Sequence, residues 1–99
     1  MNRARKVFIT GASSGIGSAL AQHYAGQGAI LGLVARRGEV LETLAVTLLG
    51  SGAKEVSCYP LDVSDSATIR MAAEDFINRF GPPDIVIANA GVSSGTLTE

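Results

Sequence analysis

The chain has 99 residues, 46% of them apolar, and its eight lysines and arginines nearly balance nine aspartates and glutamates, leaving a formal charge of −1. This length and apolar content predict one small globular unit and exclude an enzyme of two domains. The charge balance gives no electrostatic footprint for nucleic acid or for an acidic membrane surface. No apolar stretch approaches the roughly 18 residues of a membrane span. The single cysteine, Cys58, cannot form an internal disulfide, and no Cys/His cluster has metal-ligand spacing. We therefore expect no metal site. The composition fits a reduced compartment, so we expect a cytoplasmic location.

The first predicted unit is a strand followed by a helix. Residues 7–10 form a short β-prone run that ends at Gly11, which predicts a buried strand. From Gly17 a helical repeat begins, and it stops at Gly26 and Gly28. Its apolar stripe consists of Ile16, Leu20 and Tyr24.

The same alternation continues to the end of the chain. A second strand, 30–34, precedes a helix that ends at Gly50 and Gly52. A third strand, 55–59, precedes another helix. Ser64 is the expected N-cap of that helix, and Asp65 is an acidic residue in its first turn. A fourth strand covers 85–88. The stripe of the second helix is Val40, Leu41, Leu44, Ala45, Leu48 and Leu49, and that of the third is Ile69, Ala72, Ala73, Phe76, Ile77 and Phe80.

Strands that alternate with helices and are apolar on both faces predict an α/β fold, a doubly wound parallel sheet with helices on each side. Right-handed crossovers and the usual winding give the strand order 3-2-1-4. The carboxyl ends of the first and fourth strands then flank the crevice where such sheets bind ligands.

A glycine-rich turn follows the first strand and carries the strongest chemical signal. It reads Thr-Gly-Ala-Ser-Ser-Gly-Ile-Gly over residues 10–17, where the amides of a helix start can point at an anion. We expect Gly11 to permit the tight turn, Gly15 to admit a pyrophosphate and Gly17 to allow close packing of the helix. Ser13 and Ser14 add hydroxyl donors. The alternative is a glycine-rich turn that binds no ligand.

A second signal, Ala-Asn-Ala-Gly over residues 88–91, follows the fourth strand. Its small residues leave space beside a ligand, and Asn89 can bridge backbone groups of neighbouring strand ends. Alone it reads as a simple turn, but it falls at the same predicted crevice as the first motif.

Together these two motifs resemble the short-chain dehydrogenase/reductase family, whose coenzyme segment is Thr-Gly-x-x-x-Gly-x-Gly and whose later segment is Asn-Asn-Ala-Gly, here with Ala88 in place of the first Asn. The resemblance spans essentially all 99 residues. It implies a Rossmann-like domain of which residues 1–99 are the N-terminal part, truncated after the fourth strand. It also implies hydride transfer between a nicotinamide and a carbonyl or secondary alcohol. The implied coenzyme contacts are Gly11, Ser13, Ser14, Gly15, Ile16, Gly17, Arg36, Asp62, Val63, Asn89, Ala90 and Gly91, with Asp62 and Val63 at adenine.

The end of the second strand favours NADP over NAD. NAD enzymes place an acid here on the ribose, but this chain has Ala35 followed by Arg36 and Arg37. A guanidinium from Arg36 can grip a 2′-phosphate in a bidentate contact. The alternatives are that Arg36 pairs with a surface carboxylate and that Arg37 is simply solvated near Glu39.

No catalytic residue is identified in this chain. The resembled family uses a Tyr-x-x-x-Lys pair, but Gly28 and Val63 stand four residues after Tyr24 and Tyr59. Two functions therefore compete: the coenzyme-binding part of a longer NADP-dependent oxidoreductase, inactive by itself, or a stand-alone nucleotide-binding or partner-binding module. The bare apolar edge of the fourth strand favours the first and predicts self-association of the isolated segment, and we expect the enzyme to be a homo-oligomer.

Overall fold

A computed structural model describes residues 4–62 and 65–89. Four strands and three helices alternate along them: β1 Lys6–Thr10, α1 Gly15–Ala25, β2 Ile30–Ala35, α2 Gly38–Ser51, β3 Glu55–Pro60, α3 Ser66–Phe80 and β4 Ile85–Ala88. The strands form one parallel sheet in the order β3-β2-β1-β4, which confirms the predicted doubly wound, Rossmann-like fold.

Two apolar cores lie on opposite faces of the sheet. On one face, α1 and α2 cover a cluster that includes Val7, Ile9, Leu31 and Leu33. On the other face, α3 packs Phe76 with Phe8 and other apolar side chains of the sheet. All five residues of β1 are buried, so the central strand carries both cores and fixes the position of the turn that follows it.

Gly32, in the middle of β2, lets α3 approach the sheet closely. A Cβ at this position would lie 2.7 Å from a ring carbon of Phe76 and 2.8 Å from one of Phe8. The two rings instead meet edge to face, with their centroids 5.6 Å apart. The space that a side chain at residue 32 would occupy is thus filled by the aromatic ring of Phe76 from α3.

The structure corrects several details of the predicted helices. Ile16 is 68% exposed, and α1 instead buries the small residues Gly17, Ala21 and Ala25 against the sheet. Leu49 and Ile77 also lie outside the cores. Gly50 lies inside α2, which ends at the cap Gly52, and the N-cap of α3 is Asp65 rather than Ser64.

Asp65 caps α3 because its carboxylate accepts the amide proton of Ala67 at 3.0 Å. Ser64 itself lies outside the described residues.

Within the described ranges, none of the three helices is both long and apolar enough to cross a membrane.

Candidate functional site

The turn between β1 and α1 brings backbone amides to the carboxyl edge of the sheet. Ser14 is the N-cap of α1, with extended backbone angles, and its hydroxyl accepts the amide proton of Gly17 at 3.1 Å. The amides of Gly15 and Ile16, in the first turn, have no acceptor within the helix. They are the donors that a helix start offers to an anion.

The glycines of this turn have three different environments. Gly11 has a φ of 71°, the left-handed region that glycine adopts without strain. A Cβ on Gly17 would lie 2.3 Å from the Gly11 carbonyl oxygen, so the helix start lies directly against the turn. A Cβ on Gly15 would meet no protein atom within 4 Å. The surface beside Gly15 therefore has room for a ligand, and contact between Gly15 and a pyrophosphate stays a prediction.

Hydrogen bonds join the end of β4 to this turn. The Asn89 amide donates to the Thr10 carbonyl at 3.2 Å. The Asn89 side chain donates to the Gly11 carbonyl at 3.2 Å and to Ser14 Oγ at 2.6 Å. Asn89 does bridge neighbouring strand ends, as its position predicts, and its contact with Ser14 is an addition that sequence reasoning missed.

The ends of β2 and β3 continue the same edge. Ala12 donates its amide proton to the Val34 carbonyl at 3.0 Å, and Leu61 donates to the Ala35 carbonyl at 2.9 Å. These bonds place Arg36 and Asp62 at the next two strand ends beyond the glycine-rich turn. The structure thus brings the described candidate residues to one edge, while Val63, Ala90 and Gly91 lie outside the described residues.

The cationic side chains of this edge are exposed. Arg36 and Arg37 both face solvent, and neither forms an ion pair with a carboxylate in the part of the chain that the structure describes. Arg37 is the N-cap of α2 but makes no side-chain capping bond, and Ala35 before them is only 2% exposed. Among residues 4–62 and 65–89, the structure therefore does not support the first alternative for Arg36, a pairing with a surface carboxylate.

Ser13 is exposed and lies at the mouth of a groove between α1 and α2. The groove has a volume of about 450 Å³, and it is lined by Ser13, Ser18, Gln22, Glu39, Val40, Thr43, Leu44 and Thr47. Unlike Ser14, Ser13 makes no hydrogen bond within the described ranges. Its hydroxyl remains available to a ligand that sits on the helix start.

A second polar group lies between β3 and α3, beside another groove of about 450 Å³. Tyr59 donates its hydroxyl proton to Asp75 at 2.6 Å, and Arg79 contacts Asp75 at 3.4 Å and Ser57 at 2.7 Å. Burial and the bond to Asp75 raise the pKa of Tyr59, and the bond from Tyr59, with Arg79, lowers the pKa of Asp75. These groups satisfy one another, so they do not converge on a ligand.

No group of three or more His, Cys, Asp or Glu side chains that could hold a metal ion occurs among residues 4–62 and 65–89. Cys58 is half-buried, its thiol directed at the Leu41 carbonyl at 3.6 Å. Burial, with the nearby charge of Glu42, raises the pKa of this thiol. The described candidate residues at this edge offer main-chain donors and arginine side chains to a ligand.

Comparison with known proteins identifies a family to which the chain is similar. The family model described as short chain dehydrogenase matches residues 5–99. The 11-beta-hydroxysteroid dehydrogenase-like 3 protein of Arabidopsis thaliana is 46% identical over 99 residues, which are 99% of this chain and 32% of that protein. The chain thus spans about a third of the length of this curated relative.

Solved structures of similar fold include complexes with both nicotinamide coenzymes. L-sorbose reductase from Gluconobacter frateurii, complexed with NADPH and L-sorbose, is 36% identical with a TM-score of 0.79, over 92% of this chain and 35% of that one. NADH-dependent reductase A1-R′, complexed with NAD, is 26% identical with a TM-score of 0.74, over 85% of this chain and 35% of that one. The fold and the nicotinamide coenzyme are common to both proteins, while the choice between NADP and NAD differs.

Proposed function

The chain belongs to the short-chain dehydrogenase family of oxidoreductases, and we propose that residues 1–99 form the N-terminal, coenzyme-binding part of a single Rossmann-like domain in an NADP-dependent enzyme. The observation that carries this proposal is the helix start at Gly15 and Ile16, where two amides without intrahelical acceptors lie beside an open surface. A dinucleotide pyrophosphate would supply the negatively charged acceptors that these donors lack within the helix.

The residues at this edge fit a nicotinamide coenzyme laid across the strand ends. In the proposal, Gly11, Ser13, Ser14, Gly15, Ile16 and Gly17 surround its phosphates and ribose, Arg36 holds the 2′-phosphate, Asp62 and Val63 hold adenine, and Asn89, Ala90 and Gly91 lie nearer the reactive ring. When bound, the coenzyme supplies the hydride chemistry that protein side chains cannot perform. The chain binds and orients it. The helix dipole adds only about 0.3–1 kcal/mol at an exposed end, so several donors have to act together.

The proposed reaction of the whole protein is reversible hydride transfer between nicotinamide and a carbonyl or secondary alcohol. Its small-molecule substrate would be selected by residues other than those described. The 99-residue segment lacks a Tyr-x-x-x-Lys pair, and we expect it to bind coenzyme without catalysing the reaction. A homo-oligomer and a cytoplasmic location are part of the proposal, the latter supported by the unpaired Cys58.

The preference for NADP is supported by two exposed arginines at the end of β2 and by the absence of a carboxylate at Ala35. Removal of the Arg36 guanidinium by Arg36→Ala should weaken NADP binding by about 1.5–3 kcal/mol, the range for hydrogen bonds to charged groups, and should change NAD binding far less. Arg5→Ala is the matched control, because Arg5 carries the same charge but precedes β1 at the opposite edge of the sheet.

The test is a fluorescence titration of the full-length protein and both variants with NADPH and with NADH. Tighter binding of NADPH, lost specifically in Arg36→Ala, is the expected result. Equal or tighter binding of NADH by the unchanged protein would contradict the charge argument. Binding of neither nucleotide by folded protein would contradict the proposed function, and binding without turnover of any carbonyl or alcohol would favour the stand-alone module.

A further inference from the structure

The hydrogen-bonding capacity of the Ser14 hydroxyl is fully used inside the protein. A serine hydroxyl has one proton to donate and two lone pairs that accept. Ser14 donates to the Gly11 carbonyl at 3.0 Å, and it accepts from Gly17 at 3.1 Å and from Asn89 at 2.6 Å. No proton remains for a phosphate unless one of these bonds breaks. Ser13, one residue earlier, has no such partners among the residues that the structure describes.

The bond between Asn89 and Ser14 connects parts of the chain that are 75 residues apart in sequence. Asn89 uses both side-chain protons at the turn, one on Ser14 Oγ and one on the Gly11 carbonyl. The Gly11 carbonyl also accepts from the Ser14 amide at 3.2 Å. The end of β4 therefore restrains the N-cap of α1 and the carbonyl around which the turn closes.

We propose that the Asn89–Ser14 pair is a positioning link that holds the amides of Gly15 and Ile16 in the geometry that receives the coenzyme phosphates. This inference rests on the proposed function, but it assigns Ser14 and Asn89 a different part in it. They act through the backbone of the turn instead of touching the coenzyme, and Ser13 is the serine that reaches it. A structural change at the end of β4 thus changes phosphate binding through the turn that follows the neighbouring strand β1.

The test is a double-mutant cycle on NADPH affinity in the full-length protein. Ser14→Ala and Asn89→Ala should each raise the dissociation constant by roughly fivefold, the factor that corresponds to the net contribution of one hydrogen bond, because both variants remove the bond between Asn89 and Ser14. Residues of one network are non-additive, so the double variant should be no weaker than the weaker single variant. Ser14→Thr keeps the hydroxyl at an N-cap position and should restore affinity.

Ser13→Ala is the matched control, because Ser13 lies beside Ser14 but outside the link. It should also weaken NADPH binding, and its effect should multiply with that of Asn89→Ala instead of saturating. Multiplying effects of Ser14→Ala and Asn89→Ala would overturn the proposal. So would an unchanged dissociation constant in Ser14→Ala.

Hydrogen exchange of the coenzyme-free protein tests the link even if no nucleotide binds. The Gly17 amide, which donates to Ser14, should exchange severalfold faster in Asn89→Ala. The Leu41 amide, which donates to the Arg37 carbonyl in the first turn of α2, is the internal reference and should keep its rate. Equal acceleration of both amides would mean general destabilisation and would contradict the link. If the unchanged protein binds no NADPH, the proposed function fails, and this exchange result alone then decides the link.

Discussion

A methyl group added at Gly17 should destabilise the protein, whereas one added at Gly15 should not. A Cβ on residue 17 would lie 2.3 Å from the Gly11 carbonyl oxygen and 3.0 Å from Ala12 Cα, and both are backbone atoms. The first distance is roughly 1 Å short of ordinary van der Waals contact. The start of α1 would therefore have to move away from the turn and disturb the bonds that meet at the Gly11 carbonyl.

The expected magnitude follows from two opposing effects. Overpacking of this kind costs about 1–3 kcal/mol, while alanine is favoured over glycine in a helix by up to about 1 kcal/mol. Because the clash is with backbone atoms, we take the upper end of the first range, so the difference predicts that Gly17→Ala lowers the free energy of unfolding by about 2 kcal/mol and lowers Tm. Gly15→Ala meets no atom within 4 Å and should be neutral or slightly stabilising.

Urea and thermal unfolding of both variants provide the measurement, and Gly50→Ala in α2, where a Cβ also meets nothing within 4 Å, reports helix propensity alone. NADPH titration of the same samples separates the two glycines. Gly15→Ala should lose coenzyme affinity while keeping its stability, because its methyl group enters the space of the pyrophosphate. Equal unfolding free energies for Gly15→Ala and Gly17→Ala would refute the packing argument.

Three further outcomes are expected. The raised pKa of Cys58 should make its thiol react slowly with a thiol reagent at pH 7 and faster once urea unfolds the protein, and equal rates would contradict the burial. Because Tyr59 lowers the pKa of Asp75, that carboxylate contributes stability above its unfolded pKa of about 4, and the contribution is lost as the pH falls through the folded pKa. Unfolding curves of Tyr59→Phe should therefore lose less stability on acidification than those of the unchanged protein. Val86, 61% exposed on the edge strand β4, should promote self-association of the 99-residue chain, and Val86→Lys should reduce it; sedimentation of the unchanged chain as a monomer at tens of micromolar would contradict this.

Strand order and the location of the candidate site were predictable because they depend on rules that act on whole elements. Alternating strands and helices, short connections and right-handed crossovers leave few ways to arrange four parallel strands. A glycine-rich turn after β1 and an Asn-containing turn after β4 then have to meet at one edge. For that reason the position of Asn89 predicts that it bridges strand ends, and its bonds to Thr10 and Gly11 confirm this.

Side-chain detail was less predictable because it depends on local geometry. Ile16 fits a helical stripe in sequence, but it lies in the first turn of α1, where the helix passes the end of the sheet, and its side chain faces solvent. Ala21 and Ala25 are buried instead because small side chains let the helix lie close to the strands. The bond between Ser14 and Asn89 spans most of the chain, so no local pattern signals it. The local sequence indicates only that Ser14 can cap α1, because it lies three residues before Gly17, the spacing of an N-cap.

The ring of Phe76 seated over Gly32 bears on how this fold tolerates change. Because the Phe76 ring of α3 packs over Gly32, a side chain at residue 32 would push this part of α3 away from the sheet. Asp62 lies in the connection between β3 and α3, so a shift of α3 would also move Asp62 at the ligand-binding edge, although the substitution itself lies in the middle of β2. A substitution in the middle of the sheet could in this way change the affinity for a nucleotide base. A screen for altered coenzyme preference should therefore include core positions of the sheet as well as residues at the ligand-binding edge.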